Sequence, residues 1–375
     1  MTTVWRQSDE PLVLHVIPTP LARGAQREAR ALADQLDAPG VRAHRVLTLF
    51  DGVPEVRPDF SLHLDGGDRP AEGFDPRVVL RLLAALGRFD PALVVAHGSD
   101  PLKYLVPAMV GRRRLLAYYA IGTYAVSPDH RLQLAFWRHM LARVDVIAAE
   151  GNEVKIECTQ LLGVPADRVT MTPNGRDPDQ FHPRSDDGVR GLPVLTYVGA
   201  LNHGKRPDRF IEVVAELRRR GREFRARLIG GGPLLDGLRL PAEAAGVELL
   251  GPRSDVADLL RDSDIMVFPS RPAGEGLPGV LVEAGMSGVP VVATDVPGVR
   301  TIVADGSTGL VVPRDDLEAL VDATDRLLVD ADLRAVLSAE ARRCCVEQFS
   351  LDAVAAAWLA LLEPLLPGGG GRSGR

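Results

Sequence analysis

Short apolar runs alternate with helical segments along this chain, and that alternation constrains its fold more than any other feature. Leu12 to Ile17 is the first run; Pro18 and Pro20 follow, so it reads as a buried strand entering a loop. Spacing then predicts a helix over 27–36, stopped by Pro39 and Gly40, and a strand over 41–50. Further strands are expected over 93–96, 115–119 and 144–148, with helices over 79–86 and 129–141. After a stretch rich in proline, glycine and charge, Pro183 to Pro193, the pattern restarts. Strands are then expected over 194–198, 225–229, 247–250, 265–268, 290–293 and 309–312, and helices over 207–219, 255–262, 317–328 and 333–341. Short strands separated by helices imply mostly parallel sheets covered on both faces.

Two such α/β units suit 375 residues, because a single core rarely grows so large. The expected division is 1–188 and 189–350, then a terminal apolar helix within 351–366 that packs on either unit, then a glycine-rich disordered tail, 367–375. Open sheets bind ligands beyond the carboxyl ends of their strands, so the expected site is a cleft between two facing units. A formal net charge of -6 argues against a general nucleic-acid binder. Arg112 to Arg114 and Arg218 to Arg220 read as solvated helix ends or loops; an anionic acceptor or a membrane surface is the alternative for the first run. The three cysteines have neither metal-ligand spacing nor a disulfide framework, and the eight histidines are scattered, so no metal site is expected. The start is polar and no apolar stretch reaches the length of a membrane span. The expectation is a cytoplasmic protein, with contact at the inner face of the membrane left open.

The densest chemistry lies in Phe268 to Gly285, which reads as strand, glycine-rich loop and helix. Pro278 suits a first helical turn, where a missing N–H costs nothing. The amides of that turn, at Gly279 and Val280, form an anion site able to cradle a diphosphate without a metal. Glu275 precedes the helix and Glu283 lies inside it, so the two acids reach different depths. Glu283 interrupts an apolar run and needs a partner if buried. Sugar and ribose hydroxyls are suitable partners for both acids. The plain alternatives are a surface loop acid and a solvated helix residue.

This segment resembles the Glu-x7-Glu motif of family four, the retaining glycosyltransferases with two facing Rossmann-like domains. Other segments match the same family in order. Gly24-Ala25-Gln26-Arg27 is similar to its loop after the first strand, and Pro173-Asn174-Gly175-Arg176-Asp177 with Phe181-His182-Pro183 to its Asn-Gly-Val-Asp…Phe-x-Pro element. Val198-Gly199-Ala200-Leu201 with Lys205 resembles its Val-Gly-Arg-Leu…Lys-Gly loop, and Gly230 to Leu234 its Gly-x-Gly-Pro turn. Asp264 to Ser270 resembles the strand ahead of the two glutamates. The likeness runs from about residue 12 to residue 350 and implies the GT-B fold.

The resemblance implies that the second domain holds a UDP- or GDP-linked sugar. Glu283 would bind the ribose, Glu275 the donor sugar near the reacting carbon, and Gly279 and Val280 the distal phosphate. Gly276, Leu277 and Pro278 complete that loop; Gly199 and Gly231 border it; Asp255 and Val256 lie by the base, with Asp255 alternatively only a helix cap. Lys205, with Arg206 beside it, would neutralise the departing diphosphate. Gly24 and Ala25 would border the phosphates from the first domain, with Gln26 and Arg27 supporting that loop or touching acceptor. The implied reaction needs neither metal nor cofactor.

Three positions depart from the pattern. Ala200 stands where many relatives have arginine, with Arg206 a candidate replacement after a loop shift. Ile121 stands where many have a histidine near the reacting sugar, with Tyr118, Tyr119 or Thr123 as partial substitutes, and Glu150 replaces a usual serine. His97 closes the third strand and reads equally as an acceptor or sugar contact and as a packed loop histidine. The expected function is transfer of a glycosyl group to a small-molecule, lipid-linked or glycan acceptor, with Lys205, Glu275 and His97 closest to the chemistry. The alternative is a nucleotide-sugar-binding protein with impaired chemistry. An oxidoreductase is discounted, because Pro18 to Gly24 is no Gly-x-Gly-x-x-Gly. The oligomeric state is left open.

Overall fold

The computed structural model describes residues 11–21, 24–37, 42–53, 55–64, 73–111, 114–122, 124, 130–185, 191–272 and 276–366. The chain divides into two compact units, Met1–Pro173 with Val354–Arg375, and Asn174–Ala353.

Among the described residues the first unit has seven strands: β1 Leu12–Ile17, β2 Ala43–Thr48, β3 Phe60–Ser61, β4 Leu93–His97, β5 Leu115–Ala120, β6 Val146–Ala149 and β7 Val169–Met171. They lie in the order β3-β2-β1-β4-β5-β6-β7, and every pair is parallel. Alternate residues supply the two faces. Leu14, Val16, Val94 and Ala96 enter one core with Leu82, Leu86 and Leu105. Val13, Leu93, Val95 and Tyr119 enter the other, against Trp358 and Leu362 of helix Leu351–Leu362.

Among the described residues the second unit has six strands: β8 Val194–Val198, β9 Arg225–Ile229, β10 Glu248–Gly251, β11 Ile265–Phe268, β12 Val291–Thr294 and β13 Gly309–Val312. Their order is β10-β9-β8-β11-β12-β13, again wholly parallel. Each unit is thus Rossmann-like. In each, the strand order reverses once, between β1 and β4 and between β8 and β11. Loops leaving the carboxyl ends of those strand pairs diverge and open a crevice.

Most elements lie where apolar spacing puts them. Helix Ser99–Ala108 carries Pro101 and Pro107, and helix Leu235–Ala245 carries Pro241, so proline hid both. Helix Asn152–Ile156 and strands β3 and β7 are too short to show a period. The terminal helix runs over Leu351–Leu362, and Ser350 Oγ accepts from Ala353 N at 3.2 Å and caps it. The second unit begins ahead of the proline-rich stretch. Arg176 N donates to Phe349 O at 2.8 Å, Leu351 N donates to Arg176 O at 3.0 Å, and Phe181 is buried in the second unit's core. Residues 186–190 of that stretch and the tail 367–375 lie outside the described residues.

Candidate functional site

In the second unit, the loops after β8 and β11 flank the reversal point. The β8 loop is held at both ends by Tyr197, whose hydroxyl donates to Ala200 O at 3.2 Å and to Lys205 O at 3.3 Å. Asn202 Oδ1 accepts from the amides of Gly204 and Lys205, each at 3.0 Å, which closes a tight turn. Arg271 N, from the β11 loop, donates to Gly204 O at 2.7 Å and ties the two loops together. Lys205 is thereby fixed, with Nζ 5.6 Å from the centre of the Phe268 ring. The turn after β9 lies directly on Gly199: Gly230 has φ +145°, and a Cβ there would overlap the Gly199 carbonyl oxygen. Gly231 O accepts from Leu201 N at 2.9 Å.

Arg206 is occupied differently from the role a diphosphate would give it. Its Nε lies 2.9 Å from Asp208 Oδ2 and its Nη1 3.4 Å from Asp315 Oδ1, and only 9% of the residue is exposed. The Asp208 hydrogen bond pushes its pKa up further. Asp255 stands at the cap position of helix Val256–Arg261, yet its side chain caps nothing. Its carboxylate pairs with Arg253 at 2.5 Å, which holds it below the usual carboxylate range. Val256 and Leu277 pack into the apolar core.

Helix Gly279–Met286 follows the β11 loop, with Pro278 at the cap position, one residue ahead of the first turn. Leu281, Val282 and Ala284 are buried, and Glu283 lies one turn in. Its carboxylate accepts from Arg176 Nε at 2.7 Å; the two side chains are 19% and 24% exposed. The Arg176 guanidinium also lies against the first turn of the helix, where a Cβ added to Gly279 would overlap Nη2. The partner that Glu283 needs is therefore a cation at a helix N-terminus. Sequence reasoning left Arg176 out of the site. The available signal was the charged residue standing where the family element has valine. Glu275, with Ala273 and Gly274, lies outside the described residues, between Pro272 and Gly276.

In the first unit, a cavity of about 260 Å³ opens at the β1/β4 reversal. Ile17, Thr19, Gln26, His97, Gly98 and Ile121 are among its walls. Gly24 and Ala25 open helix Gly24–Leu36, so their amides belong to its first turn. His97 is 2% exposed, stacks on Trp358 with centroids 6.2 Å apart, and lies 2.9 Å from His15. His15 in turn lies 2.9 Å from His44. Burial pushes His97 down to about 3 and His44 down to about 4, and holds His15 well below the usual imidazole range. Among the described residues, the buried atoms Gln26 Oε1, His97 Nδ1 and His44 Nε2 have no hydrogen-bond partner.

The other departures have structural explanations. Tyr118 and Tyr119 are buried on opposite faces of the sheet, and Thr123 lies outside the described residues. Glu150 accepts from Gly122 N at 2.9 Å and ties the β5 and β6 loops together. Arg114 Nη2 pairs with Asp90 at 2.7 Å beyond helix Pro76–Phe89, and Arg112 and Arg113 are outside the described residues. Arg219 and Arg220 pair with Glu216 of their own helix. Among the described residues no group of three or more His, Cys, Asp or Glu side chains has a metal-holding arrangement, and no helix is long and apolar enough to cross a membrane.

Comparison with known proteins bears on both units. Residues 22–180 match the family model described as Glycosyltransferase Family 4, and residues 192–330 match that described as Glycosyl transferases group 1. The chain is 34% identical over 231 residues to a D-inositol 3-phosphate glycosyltransferase of Nocardia farcinica, a match covering 54% of this chain and 50% of the relative. It spans about half the length of such relatives. It is 29% identical to a GDP-mannose-dependent alpha-(1-6)-phosphatidylinositol monomannoside mannosyltransferase of Mycolicibacterium smegmatis, covering 73% of this chain and 77% of that one. Among solved structures, Anabaena HepE in complex with UDP superposes with a TM-score of 0.77 at 18% identity, over 94% of this chain and 100% of that one. At that identity the likeness is one of fold.

Proposed function

The chain belongs to glycosyltransferase family 4 and has the GT-B fold, and from that premise we propose that it moves a sugar from a nucleoside diphosphate to an acceptor hydroxyl, with retention at the reacting carbon. The second unit binds the donor. The observation that carries this reading is the meeting of Arg176, Glu283 and Gly279 at the reversal point of its sheet. A ribose brings hydroxyls to Glu283. The first-turn amides of Gly279 and Val280 receive the distal phosphate. Lys205 stands across the crevice on a loop anchored by Tyr197 and Arg271.

Arg176 takes the part that an arginine at position 200 would have played, with Nε on Glu283, Nη1 on the Gly175 carbonyl and Nη2 at the phosphate-binding turn. A planar fork suits this double task better than an ammonium. As the glycosidic bond breaks, charge collects on the leaving diphosphate. Lys205, Arg176 and the helix amides are already in place and stabilise that charge more than the ground state. Glu275, outside the described residues, keeps the role expected of it, hydrogen bonding to hydroxyls of the donor sugar. Arg206, held by Asp208, anchors the β8 loop.

The first unit binds the acceptor at the β1/β4 reversal. The relatives named for inositol phosphate and phosphatidylinositol mannoside favour a polyol or a lipid-linked glycan. A lipid-linked acceptor would bring the protein to the inner face of the membrane. UDP and GDP both remain open as the donor base: one relative is named for GDP-mannose, and the superposing structure holds UDP. One observation favours the reading as a donor-binding protein with impaired chemistry: Ile121, in place of a histidine, lines the first unit's cavity. Measuring nucleotide release from UDP- and GDP-sugars, with and without polyol acceptors, separates the two. Release accelerated by an acceptor supports the enzyme; binding without release supports the alternative.

A further inference from the structure

Three imidazoles run diagonally across neighbouring strands of the first unit. His44 on β2 is in register with Val13, two residues before His15 on β1; His15 is in register with Val95, two residues before His97 on β4. Two-residue steps keep all three on one face of the sheet. His44 Nδ1 meets His15 Nε2 at 2.9 Å, and His15 Nδ1 meets His97 Nε2 at 2.9 Å. All three are buried and held neutral, so each carries one proton.

Three protons and two hydrogen bonds permit only two arrangements. In one, every ring is protonated at Nδ1: His44 donates to His15, His15 donates to His97, and the third proton stands on His97 Nδ1. In the other, every ring is protonated at Nε2, the donations reverse, and the third proton stands on His44 Nε2. The two ends of the chain, His97 Nδ1 and His44 Nε2, are the atoms that have no partner. A buried N–H without an acceptor is rarer than a buried acceptor without a donor. The first arrangement puts the unpartnered N–H on His97, a residue of the cavity wall where a ligand can complete it, and the second puts it on His44, which is not among the cavity's walls; that difference selects the first.

The cavity wall holds a second unpartnered atom, Gln26 Oε1, on a side chain 5% exposed. One buried donor and one buried acceptor are completed by a group that both accepts and donates. We propose that this cavity binds a neutral hydroxyl of the acceptor, which accepts from His97 Nδ1 and donates to Gln26 Oε1, and that His15 and His44 are positioning residues that hold the proton on His97 Nδ1. The proposal rests on the first unit being the acceptor side. A sulfate has no proton to give Gln26 at neutral pH, and an ammonium has no lone pair for His97. Because its cavity-facing nitrogen is already protonated, His97 orients the hydroxyl and does not deprotonate it.

Nitrogen-15 NMR of the full-length, histidine-labelled protein tests this. The expected spectrum has His15, His44 and His97 all protonated at Nδ1; protonation of His97 at Nε2 would overturn the proposal. His15→Asn keeps an N–H facing His97 Nε2 and is expected to retain the wild-type tautomer. His15→Asp offers only an acceptor and is expected to move the proton of His97 to Nε2, with a higher KM for acceptor at unchanged donor affinity. If His15→Asp does not fold, the wild-type tautomers still decide. Titration with myo-inositol is expected to move the His97 signals and to weaken roughly tenfold in Gln26→Met. Inorganic sulfate moving them instead, or neither probe doing so, also refutes the proposal. Binding of UDP-glucose and GDP-mannose, measured on the same samples, tests the donor side separately.

Discussion

Replacing Arg176 with alanine separates two roles that one hydrogen bond leaves entangled. Arg176 either organises Glu283 for a donor or occupies Glu283 until one arrives. The 2.7 Å bond joins side chains 24% and 19% exposed, so the pair lies between surface and buried cases. Surface pairs contribute about 0–1 kcal/mol and breaking a buried one costs about 3–5 kcal/mol, which places this one near 1–3 kcal/mol. Removing a cation from a helix N-terminus returns roughly 0.3–1 kcal/mol, so the free protein should lose only about 1–2 kcal/mol. The donor complex should lose more. A guanidinium bonded to a phosphate group contributes about 1.5–3 kcal/mol net, or roughly tenfold to more than a hundredfold in affinity. Calorimetric titration with UDP-glucose and GDP-mannose measures this, alongside urea unfolding to account for stability. Arg176→Lys should recover part of the loss, since the charge stays and the fork is gone. A tighter complex in Arg176→Ala would refute the reasoning and make Arg176 a plug over Glu283.

Other predictions test separate parts of the account. Lys205→Ala should lower turnover by about a hundredfold while donor affinity changes less, read from kcat against Kd; equal losses would mean the lysine serves binding alone. Gly230→Ala should destabilise the second unit in thermal unfolding, because its Cβ meets the Gly199 carbonyl and φ is +145°; wild-type stability would show that the turn can shift. The three buried histidines should make the first unit acid-labile. Their folded pKa values lie below the unfolded value of 6.5, near 4 for His44 and 3 for His97. The unfolded chain therefore takes up protons first as pH falls below 6.5, and stability drops by at most about 1.4 kcal/mol per pH unit for each histidine until the folded values are reached. Above pH 7 they contribute no slope. Urea unfolding between pH 7 and 4.5 should show this, with a shallower slope in His44→Phe.

The fold was legible wherever an element was apolar and of ordinary length. Strands Val194–Val198, Arg225–Ile229 and Gly309–Val312 end where their apolar runs end. Proline is locally a helix breaker, so the helices holding Pro107 and Pro241 were invisible until packing was known. Glu283 was legible as an acid in an apolar run, and the need for a partner followed. The identity of the partner did not, since Arg176 is 107 residues away and is brought in by its pairing beside Ser350. The imidazole chain spans 29 and 82 residues and depends on strand order β2-β1-β4 as well as register. No local pattern encodes either. A lone histidine in an apolar strand announces only that some polar group must meet it.

The measurement that bears most directly on the central claim is nucleotide diphosphate release from a panel of UDP- and GDP-sugars, followed with and without polyol and lipid-linked acceptors. The account predicts slow release in water with one donor, acceleration when an acceptor hydroxyl is supplied, and loss of both in Lys205→Ala. Tight donor binding with no release across the whole panel would contradict it and leave a binding protein in its place.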